Sequence, residues 1–146
     1  MSPRGQSRSS SVFLDTSAHY ALADPRDDNH DQARAISQRL IAQRWRLFTT
    51  NFVLAETHAL LLVRRGHTVA WRVLQEIDRS TMTIVRVGLE DEKRARDIIS
   101  RYDDKEFSLT DATSSAVMER LGISSAFAFD QHFTQYGLSV VATARL

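Results

Sequence analysis

Two aspartates in this 146-residue sequence each follow a short apolar run. Asp15 follows residues 12–14, and Asp130 follows residues 126–129. Runs this short and rich in Val and Phe are typical of buried strands, and parallel strands end at one edge of a sheet, where open α/β folds bind ligands. Neighbouring strands lie about 4.8 Å apart, so the two carboxylates would converge. Converging carboxylates repel unless a cation or a proton lies between them, which predicts a divalent-metal site.

Glu56 and Asp111 are the other two candidate acids. On a helical wheel, the neighbours of Glu56 are the apolar residues Phe52, Ala59, Leu60 and Val63. This pattern predicts that Glu56 points into the protein, where an unpaired carboxylate is costly and a metal or an Arg partner relieves the cost. Asp111 stands three residues after Ser108, which is the spacing of a capping box.

Each of the four acids also has an ordinary structural explanation. Asp15 fits a turn at a strand end, and Asp111 and Asp130 fit helix caps. Glu56 fits the edge of a buried face, from which it reaches water. These alternatives stay open for each residue taken alone. All four together indicate one acidic cluster, because the predicted elements bring them to one rim of one sheet.

Hydrophobic periodicity predicts strands that alternate with helices. The predicted strands cover residues 12–14, 46–49, 82–87, 126–129 and 138–141. The predicted helices cover residues 18–23, 29–44, 52–65, 69–78 and 89–101, then a helix from the Ser108 box to residue 121 and a turn at 131–136. Their predicted N-caps include Thr16 or Ser17, Asn51 and Thr68. The alternation favours an α/β fold with a mostly parallel sheet.

The composition fits one folded domain of residues 11–146 behind a disordered polar tail of residues 1–10. The absence of cysteine excludes disulfides and thiolate metal sites. No apolar run approaches the roughly 18 residues of a membrane span, and no secretory signal is visible, so we expect a cytoplasmic protein. Lys93 and Lys105 are the only lysines among 19 basic residues, so the other 17 are Arg. Arg suits phosphate contacts, although genomic base composition explains the same bias.

Four ordered segments resemble PIN-domain proteins, and within them the VapC-type toxins of bacterial toxin–antitoxin pairs. The segments are VFLDTS at 12–17, TNFVLAE at 50–56, SLTDA at 108–112 and AFAFDQHF at 126–133. The resemblance implies a three-layer α/β/α sandwich of PIN-like fold. It implies a Mg²⁺- or Mn²⁺-dependent endoribonuclease that hydrolyses RNA phosphodiesters, and a cognate VapB-like antitoxin as its partner.

The resemblance also implies roles for individual residues. The implied acidic cluster is Asp15, Glu56, Asp111 and Asp130. Asp15 and Asp111 are the foremost direct metal ligands in this interpretation. The residues implied to support those ligands or to face the substrate are Thr16, Ser17, Asn51 and Thr110. All four acids are present, so nothing in the pattern indicates an inactive enzyme.

The amphipathic helices at 54–63 and 69–77 offer a face for a homodimer or an antitoxin. The candidate anchors there are Leu61, Leu62, Trp71 and Leu74. Ordinary core packing is the competing explanation for most of them, and we expect Trp45, Trp71 and the Phe side chains to lie in the core.

The sequence leaves two alternative functions to consider. A phosphatase with an aspartyl nucleophile would use Asp15, but that chemistry in the haloacid-dehalogenase family requires a second Asp where Ser17 stands. A non-catalytic PIN-like module that binds RNA or a protein is the main alternative, and four intact carboxylates disfavour it. The five histidines show no zinc or hydrolase spacing, so no catalytic His is predicted.

Overall fold

A sheet of five parallel strands organises the fold in the computed structural model, which describes residues 10–141. The strands are β1 Ser11–Leu14, β2 Arg46–Thr50, β3 Thr83–Val85, β4 Ser125–Phe127 and β5 Ser139–Val140. The helices are α1 Thr16–Ala23, α2 His30–Ala42, α3 Asn51–Arg65, α4 His67–Arg79, α5 Leu89–Arg101, α6 Leu109–Leu121 and α7 His132–Gln135. None of these helices is long and apolar enough to cross a bilayer. The predicted disordered tail falls almost entirely on residues 1–9, outside the described part, and stays a prediction.

β1 lies at the centre of the sheet, whose strand order is β3-β2-β1-β4-β5. Phe13 of β1 stands opposite Phe48 of β2 and Ala126 of β4. Alternate side chains of β1 point to opposite faces of the sheet and belong to two different hydrophobic clusters. Val12 and Leu14 pack with α1 and α2, whereas Phe13 packs with α3 and α6. Helices therefore cover both faces of an apolar parallel sheet, which confirms the predicted three-layer α/β/α sandwich.

Three helices begin earlier than the sequence predicted. The Asp15 carboxylate caps α1 by accepting the Ser17 N–H over 3.4 Å, and the Thr50 hydroxyl caps α3 by accepting the Val53 N–H over 3.1 Å. Gly66, at φ +87°, precedes α4 without any side-chain cap. The predicted caps were therefore wrong for Thr16, Ser17, Asn51 and Thr68, which all lie inside helices. In α1 and α3 a suitable oxygen one residue upstream of the helix takes the capping role.

α3 turns a different face to the core from the one the sequence predicted. Its buried residues are Val53, Leu54, Thr57 and Leu61. Val63 is 85% exposed, so the predicted burial of the face around Glu56 is wrong. Residues 59–63 are apolar without interruption, and a wheel therefore finds no unique stripe among them. The predicted core position of Trp71 is also wrong, because its side chain is 52% exposed.

Ion pairs fasten α5 to α6, the helix that carries Asp111. Arg120 donates two hydrogen bonds to the Asp91 carboxylate, at 2.7 and 2.9 Å, and Arg94 donates two to the Glu119 carboxylate, at 2.8 and 3.3 Å. Asp91 is buried, and its bonds from Arg120 hold its pKa below the usual value despite that burial. Asp91 is therefore a structural acid, whose charge is paired with that of Arg120.

Candidate active site

A cavity of about 460 Å³ opens at the carboxyl ends of the central strands. Its wall contains all four predicted acids, Asp15, Glu56, Asp111 and Asp130. The parallel pairing of β1 with β4 brings the first and last of them to the same edge, because the Asp15 N–H donates to the Phe127 carbonyl over 3.1 Å. The cavity wall also includes Thr16 and Ser17. The four acids singled out in the sequence therefore share this cavity.

Asp15 is the most deeply buried of the four acids, at 2% exposure. The Ser17 hydroxyl donates to its Oδ2 over 3.0 Å and accepts the N–H of Phe129 over 2.9 Å. Burial raises the pKa of Asp15 to about 6 from its usual 3.8, although the nearby His132 and the hydrogen bonds from Ser17 oppose that rise. A carboxylate held this far from water, with no Lys or Arg bonded to it in residues 10–141, is suited to a metal ion.

Asp111 caps α6 and also faces the cavity. It completes a capping box, because its Oδ2 accepts the Ser108 N–H and its own N–H donates to the Ser108 hydroxyl, both over 3.0 Å. Its other oxygen, Oδ1, lies 3.2 Å from Nε2 of His132. The capping box thus fixes one side of the carboxylate and leaves the other side for the cavity.

His132 is the residue that sequence reasoning missed. Its Nε2 lies 3.2 Å from Asp111 Oδ1 and 4.0 Å from Asp15 Oδ1, and its side chain is 9% exposed. Both separations are ion-pair distances, but neither contact is a hydrogen bond, so Nε2 has no hydrogen-bond partner within residues 10–141. One ligand atom from each of the three residues lies within 4.8 Å of the others. No catalytic His was predicted from the sequence, yet the structure places His132 beside Asp15 and Asp111. The available signal was the pair His132-Phe133 at the end of the fourth matching segment, directly after Asp130 and Gln131.

Glu56 and Asp130 occupy less buried parts of the cavity wall. The Thr16 hydroxyl donates to Glu56 Oε1 over 2.5 Å, so α1 and α3 hold this half-buried carboxylate between them. Asp130 is exposed. It lies three residues beyond β4, which ends at Phe127, so the prediction that it directly follows a strand was wrong. Neither acid belongs to the close group formed by Asp15, Asp111 and His132.

Asn51 and Thr110 are not part of the described cavity wall. The Asn51 side-chain oxygen accepts the Val87 N–H over 2.9 Å, which ties α3 to the segment after β3. The Thr110 carbonyl accepts the Thr113 hydroxyl. Their roles near the metal or the substrate stay predictions.

Arg64 is the one basic residue of the described cavity wall. Its guanidinium carbon lies 5.1 Å from the centroid of the Tyr20 ring. The next residue, Arg65, donates instead to Asp24, away from the cavity. Asp27 adds a fifth acid to the wall. The described cavity wall therefore contains five acids and one basic residue, Arg64.

This donor set fits a divalent cation. Carboxylate oxygens are the ligands that Mg²⁺ and Mn²⁺ prefer, and a buried nitrogen without a hydrogen bond points at the same place. A cation there would remove the repulsion between Asp15 and Asp111 and satisfy the orphaned atom of His132. Asp15 and Asp111 are consistent with the direct-ligand roles expected for them.

Known proteins resemble this chain in both sequence and structure. The family model described as the PIN domain matches residues 12–138. The "23S rRNA-specific endonuclease VapC20" of Mycobacterium tuberculosis is 36% identical over 127 residues, which are 86% of this chain and 94% of that protein. "Ribonuclease VapC26" of the same species is 24% identical over 124 residues, covering 84% of this chain and 90% of that one.

Two solved structures share the architecture. The crystal structure of M. tuberculosis VapC20, described as a sarcin–ricin loop cleaving toxin, has a TM-score of 0.81 and 35% identity over 90% of this chain and 98% of that chain. FitAcB from Neisseria gonorrhoeae has a TM-score of 0.69 at 15% identity over 92% of this chain and 99% of that chain, which shows a likeness in fold alone.

Proposed function

This chain belongs to the PIN domain family, and on that premise we propose that it is the endoribonuclease toxin of a toxin–antitoxin pair. The observation that carries the proposal is the single cavity that gathers Asp15, Glu56, Asp111 and Asp130 at the edge of the sheet. The 36% identity to a protein named as an endonuclease supports the same reaction. The alternative of a non-catalytic binding module has no specific observation in its favour.

Metal dependence is part of the proposal. Asp15 and Asp111 would hold Mg²⁺ or Mn²⁺ directly, and Glu56 and Asp130 would add negative charge to the same site. When bound, the cation polarises a phosphate and lowers the pKa of water, so that water can attack phosphorus at neutral pH. The Ser17 hydroxyl keeps the Asp15 carboxylate in one orientation. Hydrolysis of this kind leaves a 5′-phosphate and a 3′-hydroxyl.

Arg64 is the group that we assign to a substrate phosphate. Five acids in the wall repel a polyanion, so the rim cation has to hold a phosphate that flanks the cleaved bond. The Tyr20 side chain contacts the guanidinium and limits its motion, and no carboxylate pairs with Arg64 within residues 10–141. Arg presents a planar fork of donors that matches phosphate oxygens.

We propose a structured loop of 23S rRNA as the target, on the strength of the relative whose name specifies that RNA. The test is to incubate the purified protein with ribosomes and with total RNA in Mn²⁺, and to map new 5′ ends across the transcriptome. A single dominant cut in the sarcin–ricin loop supports the target. Cuts confined to other RNAs would keep the enzyme but replace the target, and no cuts with any RNA would contradict the proposed activity.

The proposed partners and setting follow from the same function. A cognate VapB-like antitoxin would restrain the toxin in the cytoplasm, where ribosomes lie, and residues 11–146 would act as one domain. Leu62 and Trp71 are exposed on α3 and α4 and are available for a homodimer or antitoxin interface. Leu61, also offered as an anchor, is fully buried and belongs to the core instead.

A further inference from the structure

The ring of His132 lies beside the acidic cluster but has no role in the reaction proposed above. Its side chain is nine-tenths buried, yet its Nε2 has no hydrogen-bond partner in the described chain. A buried polar atom without a partner is costly, and native structures rarely keep one without a purpose. The ring packs against Phe133 at a centroid distance of 4.2 Å, which holds it facing the acids.

The direction of that nitrogen decides what it can do. Nε2 points between Asp15 and Asp111, at 4.0 and 3.2 Å from one oxygen of each. These separations suit three ligands that share one cation, and neither carboxylate makes a hydrogen bond with Nε2. An imidazole nitrogen and two carboxylate oxygens are a common mixed ligand set for first-row transition metals.

We propose that His132 Nε2 is a direct ligand of the cation held by Asp15 and Asp111, and that this nitrogen makes the site prefer Mn²⁺ to Mg²⁺. The inference rests on the proposed metal-dependent function but assigns a ligand that the acidic pattern does not contain. Mg²⁺ strongly prefers oxygen ligands and retains its waters, so an imidazole adds little to its binding. Mn²⁺ also favours carboxylate oxygen, but as a first-row transition metal it binds an added imidazole nitrogen more strongly than Mg²⁺ does.

Pulsed electron paramagnetic resonance of the Mn²⁺-loaded full chain tests the ligand without any RNA. We expect ¹⁴N modulation from a directly bound nitrogen, which changes to the ¹⁵N pattern when the protein is labelled with ¹⁵N-histidine. The modulation should vanish in His132→Asn and in His132→Gln, and persist in the control His67→Asn, whose side chain is exposed at the start of α4. Absence of histidine modulation in the unaltered protein would overturn the proposal, whether or not the variants fold. Modulation that survives both His132 variants would also overturn it.

Metal titration gives a second readout. Removal of a group that merely supports a metal ligand typically weakens binding about 10–100-fold, so loss of a direct ligand in His132→Asn should raise the Kd for Mn²⁺ at least about tenfold. The Kd for Mg²⁺ should rise less. An equal loss for both ions would contradict the claimed preference. Histidine modulation in a protein that cuts no RNA would leave this inference standing and remove the proposed function, so the two failures are distinguishable.

Discussion

The Ser17 hydroxyl donates a hydrogen bond to Asp15 Oδ2 over 3.0 Å. The hydroxyl oxygen of Ser17 in turn accepts the N–H of Phe129 over 2.9 Å, from a residue 112 positions further along the chain. One hydroxyl therefore ties the loop after β1 to the loop after β4 and orients the buried carboxylate between them. The acidic cluster depends on this contact as well as on its acids.

Ser17→Ala should weaken the metal site while preserving all four carboxylates. The substitution removes the bond that orients Asp15, and loss of such a supporting partner typically costs about 10–100-fold in metal affinity or activity. It also leaves the Phe129 N–H without its acceptor, which should lower the free energy of unfolding by about 1 kcal/mol. Titration calorimetry with Mn²⁺ and urea unfolding measure the two effects.

Ser114→Ala is the matched control for that experiment. The Ser114 hydroxyl is buried on α6 and has no hydrogen-bond partner among residues 10–141. Its removal should leave Mn²⁺ affinity unchanged. Equal Mn²⁺ affinities in the Ser17 variant and in this control would show that the hydroxyl of Ser17 does not support the site.

Arg64→Ala should raise the KM for RNA and leave kcat nearly unchanged. Arg64 lies in the cavity wall, and as a phosphate contact it contributes about one ion pair to RNA binding. Without it, the negative slope of log affinity against log salt should become shallower by about 0.7 for a single-stranded target. Steady-state kinetics at several salt concentrations provide the measurement. Arg72→Ala, on the exposed surface of α4, is the control and should change neither quantity. A loss confined to kcat would remove Arg64 from substrate binding.

Asp15→Asn should stabilise the metal-free protein at neutral pH. Burial raises the pKa of Asp15 from 3.8 to about 6, so the folded state binds this proton more tightly than the unfolded state does. Protonated Asp15 therefore contributes to the free energy of unfolding, and this contribution is complete below about pH 4. It is lost as the pH rises through about 6, and the loss is about 3 kcal/mol at pH 7.

Urea unfolding in EDTA from pH 4 to 8 checks this expectation. The stability difference between Asp15→Asn and the unaltered protein should grow through that window, and the comparison cancels the titration of other groups. Mn²⁺ should stabilise the unaltered protein and have much less effect on the variant. A variant that is less stable in EDTA at every pH would contradict an uncompensated charge at this position.

His19 should make the metal-free protein sensitive to acid. Its side chain is 4% exposed, and burial lowers its pKa from 6.5 to about 4. Thr49 already donates its hydroxyl proton to the Leu14 carbonyl, so the neutral ring must donate from Nε2 to the Thr49 oxygen, 3.2 Å away. Stability is then complete above about pH 6.5 and falls by about 3 kcal/mol as the pH drops to about 4.

Urea unfolding across that window, with His19→Gln, tests the assignment. The amide can donate to Thr49 but does not titrate, so the variant should lose the acid-sensitive part of the curve. His67→Gln, which changes an exposed ring, should keep it. The same steep fall in all three proteins would place the acid sensitivity elsewhere.

The apolar strand segments in the sequence predicted much of the site, because the parallel sheet sets where those segments end. Residues 12–14 and 126–127 are apolar on both faces, which places them in neighbouring parallel strands whose ends share one edge. That placement brings Asp15 directly to the cavity, whereas Asp130 reaches it through the segment that follows β4. The Ser108 and Asp111 capping box is likewise encoded in four consecutive residues.

The missed features depend on contacts between distant segments. His132 reaches the acids only because the chain bends after β4 and the short α7 turns its ring back toward Asp111. Arg64 was unidentifiable among 17 arginines, because its position follows from the packing of α3 beside Tyr20. Glu56 reached the cavity as predicted, but through Thr16 and the edge of α3, and not through a buried helix face.

Cleavage of 23S rRNA fragments by the purified chain, with Mn²⁺, Mg²⁺ or EDTA in parallel, tests the proposed metal-dependent nuclease most directly. We expect discrete cuts in the presence of metal, and their loss with EDTA, with Asp15→Asn and with Asp111→Asn. Asp103→Asn, which alters an exposed acid outside the described cavity wall, should cut normally. Undiminished cleavage in EDTA, or in either cavity variant, would contradict a metal-dependent nuclease built on these carboxylates.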